Sequence, residues 1–168
     1  WKGENRKMRI AVLSDTHGLL RDQVKSVIVG CDAVVHGGDI NSQKMIDEIR
    51  QNMKADAPFY VVRGNNDKEW AEYLPQHEEF TLAGMKFYMV HNKKELPEDL
   101  GDVQIVIFGH SHKYLEEIRD GRLWLNPGSC GKRRFNQEIT MAVLEIKNGK
   151  WEVERIDIPH EEVKRTGR

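Results

Sequence analysis

Apolar and β-branched residues fall along the chain in short runs separated by polar, glycine-rich clusters. Met8–Ser14, Ala33–His36, Phe59–Val62, Met85–His91 and Gln104–Phe108 read as strands. Helical periodicity lies between the early runs. Leu20–Val29 sets Leu20, Val24, Val27 and Ile28 on one face, and Ser42–Met53 does so with Met45, Ile46 and Ile49 behind Ser42 as an N-cap. Strand–helix–strand alternation predicts an α/β layout with parallel strands in the first half. From Lys113 onward the pattern alternates polar and apolar, in Lys113–Arg119, Leu123–Asn126, Glu138–Ile146 and Trp151–Ile158. Asp120-Gly121 and Asn148-Gly149 separate pairs of these runs and favour tight hairpins, so the second half is expected to be antiparallel. The two halves together predict an α/β protein built as a two-sheet β-sandwich flanked by helices.

Length bounds this picture to one domain, because 168 residues is close to a single-domain chain. Met8-Arg9-Ile10 looks like a native start, so residues 1–7 read as an upstream extension, 8–160 as the domain, and 161–168 as a charged tail that frays. Twenty-six basic and 27 acidic residues leave a net charge of −1, which argues against duplex nucleic acid or an anionic membrane as the main partner. No apolar run approaches the roughly 18 residues of a membrane helix, and no signal-peptide pattern is visible. Only two cysteines are present, with no CxxC, so a reducing cytoplasm is the expected location.

The chemistry-bearing residues cluster at strand ends. Asp15-Thr16-His17 follows the first strand, Gly37-Gly38-Asp39 the second, and Gly64-Asn65-Asn66-Asp67 the third. His91 ends the strand begun at Met85, and Gly109-His110-Ser111-His112 follows Gln104–Phe108. In open α/β sheets the carboxyl ends of the strands are where sites form. Each piece alone is ordinary turn chemistry; the ordered set, holding four of the seven histidines, is not. On extended backbone, i and i+2 side chains point the same way, so Asp15 with His17 and His110 with His112 could each offer two ligand atoms to one region. Carboxylate, imidazole and amide oxygen together suit Mn²⁺, Fe or Zn²⁺, and the absence of cysteine argues against a structural thiolate zinc site.

The order DxH…GD…GNxD…H…GHxH resembles the calcineurin-like metallophosphoesterase superfamily, and within it the compact YfcE-like phosphodiesterases. The resemblance runs from Met8 to about Ile158 and includes Asn126-Pro127-Gly128-Ser129. It implies a helix-flanked, four-layer β-sandwich with two divalent ions, Mn²⁺ foremost and Fe, Ni²⁺ or Zn²⁺ as other occupants. By that resemblance Asp15, His17 and His112 hold one ion, Asn65, His91 and His110 the other, and Asp39 bridges them. Two departures stand out. Many relatives carry His-Gly-His where this chain has His91-Asn92-Lys93, and the stretch to Asp102 looks short for the helix inserted there, which would reshape the rim. Larger relatives carry a proton-donating His where this chain has Asn66, whose amide does not titrate.

The implied reaction is in-line attack on phosphorus by a metal-bound hydroxide, with Asp39, Asn65 and His110 as the residues on which catalysis rests. Asp67 is weighed as an outer carboxylate orienting a metal-bound histidine against a turn-capping role. Arg133 and Arg134 are candidates for a nonreacting phosphate or carboxylate. A small phosphodiester fits better than a monoester. A retromer-subunit-like interaction scaffold with a vestigial site is the alternative, and the intact ligand set argues against it. A nuclease is a third reading, disfavoured by the neutral charge. A homo-oligomer stays open.

Overall fold

A computed structural model describes residues 7–133 and 136–159. The expected extension at 1–6, Arg134, and the expected tail at 161–168 lie outside the described residues. Lys7 already engages the domain, with its ammonium 3.5 Å from Glu145.

The first sheet has the order β10-β9-β1-β2-β3. Its strands β1 (Met8–Leu13), β2 (Ala33–His36) and β3 (Phe59–Val61) are parallel, joined by helices α1 (Asp22–Ile28) and α2 (Gln43–Asn52). Ser42 caps α2, its Oγ accepting from the Met45 N–H at 3.4 Å. Strand β9 (Thr140–Lys147) runs antiparallel to β1 with Val12 opposite Ala142, and β10 (Lys150–Asp157) pairs antiparallel with β9.

The second sheet has the order β4-β5-β6-β8-β7. Strands β5 (Met85–Val90), β6 (Ile105–Ile107) and β8 (Arg122–Asn126) are parallel. Strands β4 (His77–Leu82) and β7 (Leu115–Arg119) close the edges antiparallel.

Two expectations change here. Strand β4 was not legible, because His77, Glu78 and Glu79 make a polar start at a sheet edge. Its turn, Ala83-Gly84, takes positive φ at both residues (53° and 79°) with no Asn or Asp to announce it. The second half is also not wholly antiparallel: β8 joins β6 in parallel, so the chain crosses over through β7. The two expected hairpins do form, with φ of 55° and 77° at Asp120-Gly121 and 53° and 76° at Asn148-Gly149.

Apolar burial fixes the layers. Ile10, Val12 and Val35 from one sheet face Phe87, Met89, Ile107 and Leu125 from the other in the central core. Val24 and Ile28 of α1 and Met45 and Ile49 of α2 cover the outer face of the first sheet. The outer face of the second sheet carries Val90, Val106 and Phe108, screened in part by Leu96 and Leu100, and among the described residues the one helical element beside it is a 3-10 turn at Lys93–Glu95. The fourth layer is therefore thin. This packing brings the carboxyl ends of β1, β2, β3, β5 and β6 to one mouth of the sandwich.

Candidate metal centre

The strand-end loops meet through left-handed backbone. Asp15, His17, Asp39, His110 and His112 have φ of 55°, 46°, 59°, 75° and 67°. Such φ values are uncommon for residues with a Cβ, and their clustering here marks strain held by the surrounding fold. The extended geometry expected for Asp15/His17 and His110/His112 is thus replaced by tight turns, yet the side chains still converge.

The convergence centres on Asp15, which is fully buried. Its Oδ1 lies 3.8 Å from His17 Nε2, 3.9 Å from His91 Nε2 and 3.4 Å from His112 Nε2. Asp39 Oδ2 lies 3.3 Å from His91 Nε2 and 3.7 Å from His17 Nε2. Two groupings compatible with a cation result: Asp15, His17 and His112, and Asp15, Asp39 and His91. Asp15 is the carboxylate common to both. His110 and Asn65 form the exposed lip, His110 Nδ1 standing 3.2 Å from Asn65 Oδ1 and its ring 5.2 Å from that of His91.

Neighbouring groups aim these atoms. Asp15 Oδ2 accepts from Ser14 Oγ (2.8 Å) and the His110 N–H (3.2 Å), leaving Oδ1 for the mouth. His91 donates Nδ1–H to the Gly37 carbonyl (2.7 Å), which turns the bare Nε2 inward. Asn66 donates its backbone N–H to Asp39 Oδ1 (2.8 Å) and its side-chain amide to Oδ2 (2.9 Å). Asn126 ties its amide to the Gly109 carbonyl (3.0 Å) and Ser129 Oγ to that of Asp15 (2.9 Å), so the Asn-Pro-Gly-Ser segment clamps two ligand loops together.

Three buried atoms in the mouth have no hydrogen-bond partner among the described residues: Asp15 Oδ1, His17 Nε2 and His91 Nε2. Leaving three such atoms unmet is costly; a cation in one grouping would meet Asp15 Oδ1 and His17 Nε2, and a cation in the other would meet Asp15 Oδ1 and His91 Nε2. The donor set therefore fits a metal. The electrostatics agree. Burial pushes the Asp15 carboxyl up, but the His112, His17 and His91 imidazoles outweigh it and hold it well below the usual range. Burial likewise raises Asp39, and His91 with the Asn66 N–H brings it down. Burial lowers His91, but Asp39 and Asp15 outweigh it and raise it.

Asp67 displays the capping role. Its oxygens accept from the N–H groups of Asp39 (2.9 Å), Ile40 (2.9 Å), Asn41 (3.0 Å) and Gly64 (2.9 Å), and its recorded hydrogen bonds reach no imidazole. Asp67→Ala strands several buried donors and is expected to cost about 3 kcal/mol or more, with Asp67→Asn costing less, as read by urea unfolding in chelator.

Arg133 donates Nε to the Gln137 carbonyl (3.1 Å) and lines neither of the two clefts that flank His110 and His112. Cys130 is fully buried, and burial pushes its thiol up to about 12, so it is inert.

His36 ends β2 between the first two ligand loops. It is fully buried, accepts from the Gly38 N–H at Nδ1 (3.0 Å) and sets Nε2–H against Thr16 Oγ1 (3.0 Å). It therefore joins the first ligand loop to the second. Burial lowers it to about 4 from 6.5. The unfolded chain takes up this proton as pH falls below 6.5, while the folded chain resists until about 4. Stability worth about 3 kcal/mol is thus present above that window and lost across it on acidification. Metal-free protein should show this loss between pH 7 and pH 4, and His36→Gln should show a flatter profile. Asp15 and Asp39, held low, add their losses only at more acid pH.

What fold and mouth define is a two-sheet α/β protein with a candidate cation site at the carboxyl ends of its strands. The chain matches the calcineurin-like phosphoesterase superfamily domain over residues 8–149 and belongs to that family. It is 31% identical over 159 residues to a Mycoplasma pneumoniae protein named "Probable metallophosphoesterase", covering 84% of this chain and 92% of that one. It is 29% identical over 143 residues to phosphodiesterase MJ0936 of Methanocaldococcus jannaschii, covering 73% and 84%. Among solved structures, an archaeal phosphodiesterase superposes with a TM-score of 0.71 at 24% identity over 89% of this chain and all of that one. Vps29 of Entamoeba histolytica in complex with Zn²⁺ superposes with a TM-score of 0.68 at 22% identity, over 89% and 99%. Among the described residues no helix is long and apolar enough to cross a membrane.

Proposed function

We propose that this metallophosphoesterase holds two divalent cations, Mn²⁺ foremost, and hydrolyses a small phosphodiester. The observation that carries the reading is the set of inward-facing, unpartnered buried atoms on Asp15, His17 and His91. Asp15, His17 and His112 would hold one cation, and Asn65, His91 and His110 the other, with Asp39 facing both and Asp15 Oδ1 reaching the second as well. Bound there, the ions supply Lewis acidity toward phosphoryl oxygens and lower the pKa of water.

The chain's own residues do the rest. Asp15 and Asp39 lay two negative charges in a water-poor mouth, where they act strongly on cations. Asn66 and Asp67 hold Asp39 from opposite sides, through its carboxylate and its backbone N–H. His110 and Asn65, at the exposed lip, are the groups placed to meet substrate oxygens. Asn66 spends its amide on Asp39 and cannot protonate a leaving group. The site therefore suits diesters whose leaving group needs no acid. The fold alone would serve a scaffold equally well; the convergent side chains favour catalysis. The two cysteines, both free and buried, accord with a cytoplasmic setting.

Bis(p-nitrophenyl) phosphate tests the reading. Chelated protein is expected to be inactive and to regain turnover with Mn²⁺, with p-nitrophenyl phosphate much slower. A monoester preference would overturn the diester assignment.

A further inference from the structure

The mouth continues at His110 into a cleft of about 410 Å³. That is the size of a small-ligand pocket. One wall is Phe108, Tyr114 and Leu115; the rim carries Lys93, Lys94 and Lys113. Among the described residues no carboxylate lines it, and none of the three ammonium groups is ion-paired. Lys93 Nζ instead sits 5.6 Å above the Phe108 ring. The acids nearest in sequence are Glu95, exposed beside Lys94, and Glu116, which accepts from Tyr114 Oη at 2.9 Å.

The 3-10 turn at Lys93–Glu95 that follows β5 supplies this rim beside His110. The cleft shares His110 with the cation site, so a substrate whose phosphorus lies at the centre has one limb directed into it.

We propose that this cleft is a subsite for the limb beyond the reacting phosphorus, and that the limb is a nucleotide carrying its own terminal phosphate. The proposal rests on the phosphodiester reading. The apolar wall takes the flat base, and Lys93 and Lys113 take the second anion through charge-assisted hydrogen bonds. A 3′,5′-cyclic mononucleotide closes its only phosphate on its own sugar, and a cyclic dinucleotide has no terminal phosphate, so neither offers the lysines a free phosphate. The preferred class is therefore a linear dinucleotide with a terminal phosphate.

The experiment has two arms. In the first, chelated protein is titrated with adenosine 5′-monophosphate, adenosine and inorganic phosphate, followed by calorimetry and backbone amide shifts. The monophosphate should bind at least about tenfold tighter than either fragment, with shifts at residues 92–94 and 108–115. A folded Lys93→Ala/Lys113→Ala variant should lose that advantage; both side chains are exposed, so the fold should survive. Equal binding of monophosphate and adenosine, or unchanged binding by the variant, would overturn the subsite.

In the second arm, Mn²⁺-restored protein is assayed on one dinucleotide with and without a 5′-phosphate. A preference of about tenfold in kcat/KM is expected, collapsing in the variant; equal values would overturn the substrate class. Failure to cleave bis(p-nitrophenyl) phosphate with any divalent metal would instead remove the diester reading, while the titration still decides whether the cleft binds a nucleotide.

Discussion

Asp15→Asn is expected to lower metal-dependent diester hydrolysis by about 10³-fold, the scale of several kcal/mol that a cation contributes to charge stabilisation. The reason is geometric as much as electrostatic. One carboxylate oxygen already accepts from Ser14 Oγ and the His110 N–H, while the other faces three imidazoles. An amide keeps the first pair of bonds only by turning its NH₂ toward the imidazoles, which places hydrogens where a cation belongs. Both cation groupings contain Asp15, so one substitution should damage both. Steady-state rates with Mn²⁺ in excess check it. A loss below about tenfold would mean that Asp15 is not shared.

Gly64→Ala is expected to have the second large effect. A Cβ on Gly64 would run into the carboxylate and backbone nitrogen of Asp39. The same loop gives its N–H to Asp67, so it cannot swing away without breaking the cap. Overpacking of this kind costs about 1–3 kcal/mol. A displacement of Asp39 by about 1 Å should cost about 10²-fold in rate. Unfolding curves and kcat in the same variant separate the two. Gly84→Ala is the contrasting case: nothing lies near its Cβ, and only its positive φ of 79° is strained.

The parts of this molecule that the sequence makes legible are those set by short-range periodicity and by the polar type of strand-end residues. Ser42 as an N-cap, the paired Val24/Ile28 and Met45/Ile49 faces, and the two Gly-containing hairpins follow from local rules that the tertiary structure does not override. Strand β4 depends instead on pairing with β5, because its polar start leaves little local pattern, and the parallel join of β8 to β6 is a choice of partner that no single segment encodes.

The same division runs through the site. Asp15, His17, Asp39, His91 and His112 could be named from their order along the chain, and they do converge. The left-handed turns that bring them together were not read, because the spacing suggests extended backbone at Asp15/His17 and His110/His112. The capping role of Asp67 is one of the two the sequence offers, but which four N–H groups it accepts from was not legible, nor was His36 as the link between two ligand loops. Those roles depend on which backbone groups lie within about 3 Å in three dimensions.

The most direct measurement is cation stoichiometry. Chelated protein, dialysed back against Mn²⁺ and analysed for metal per chain beside Asp15→Asn, is predicted to hold two ions, with the variant holding fewer than one. A parent protein that retains no ion above the variant would contradict the account, because the unpartnered atoms of Asp15, His17 and His91 would then serve something other than a metal.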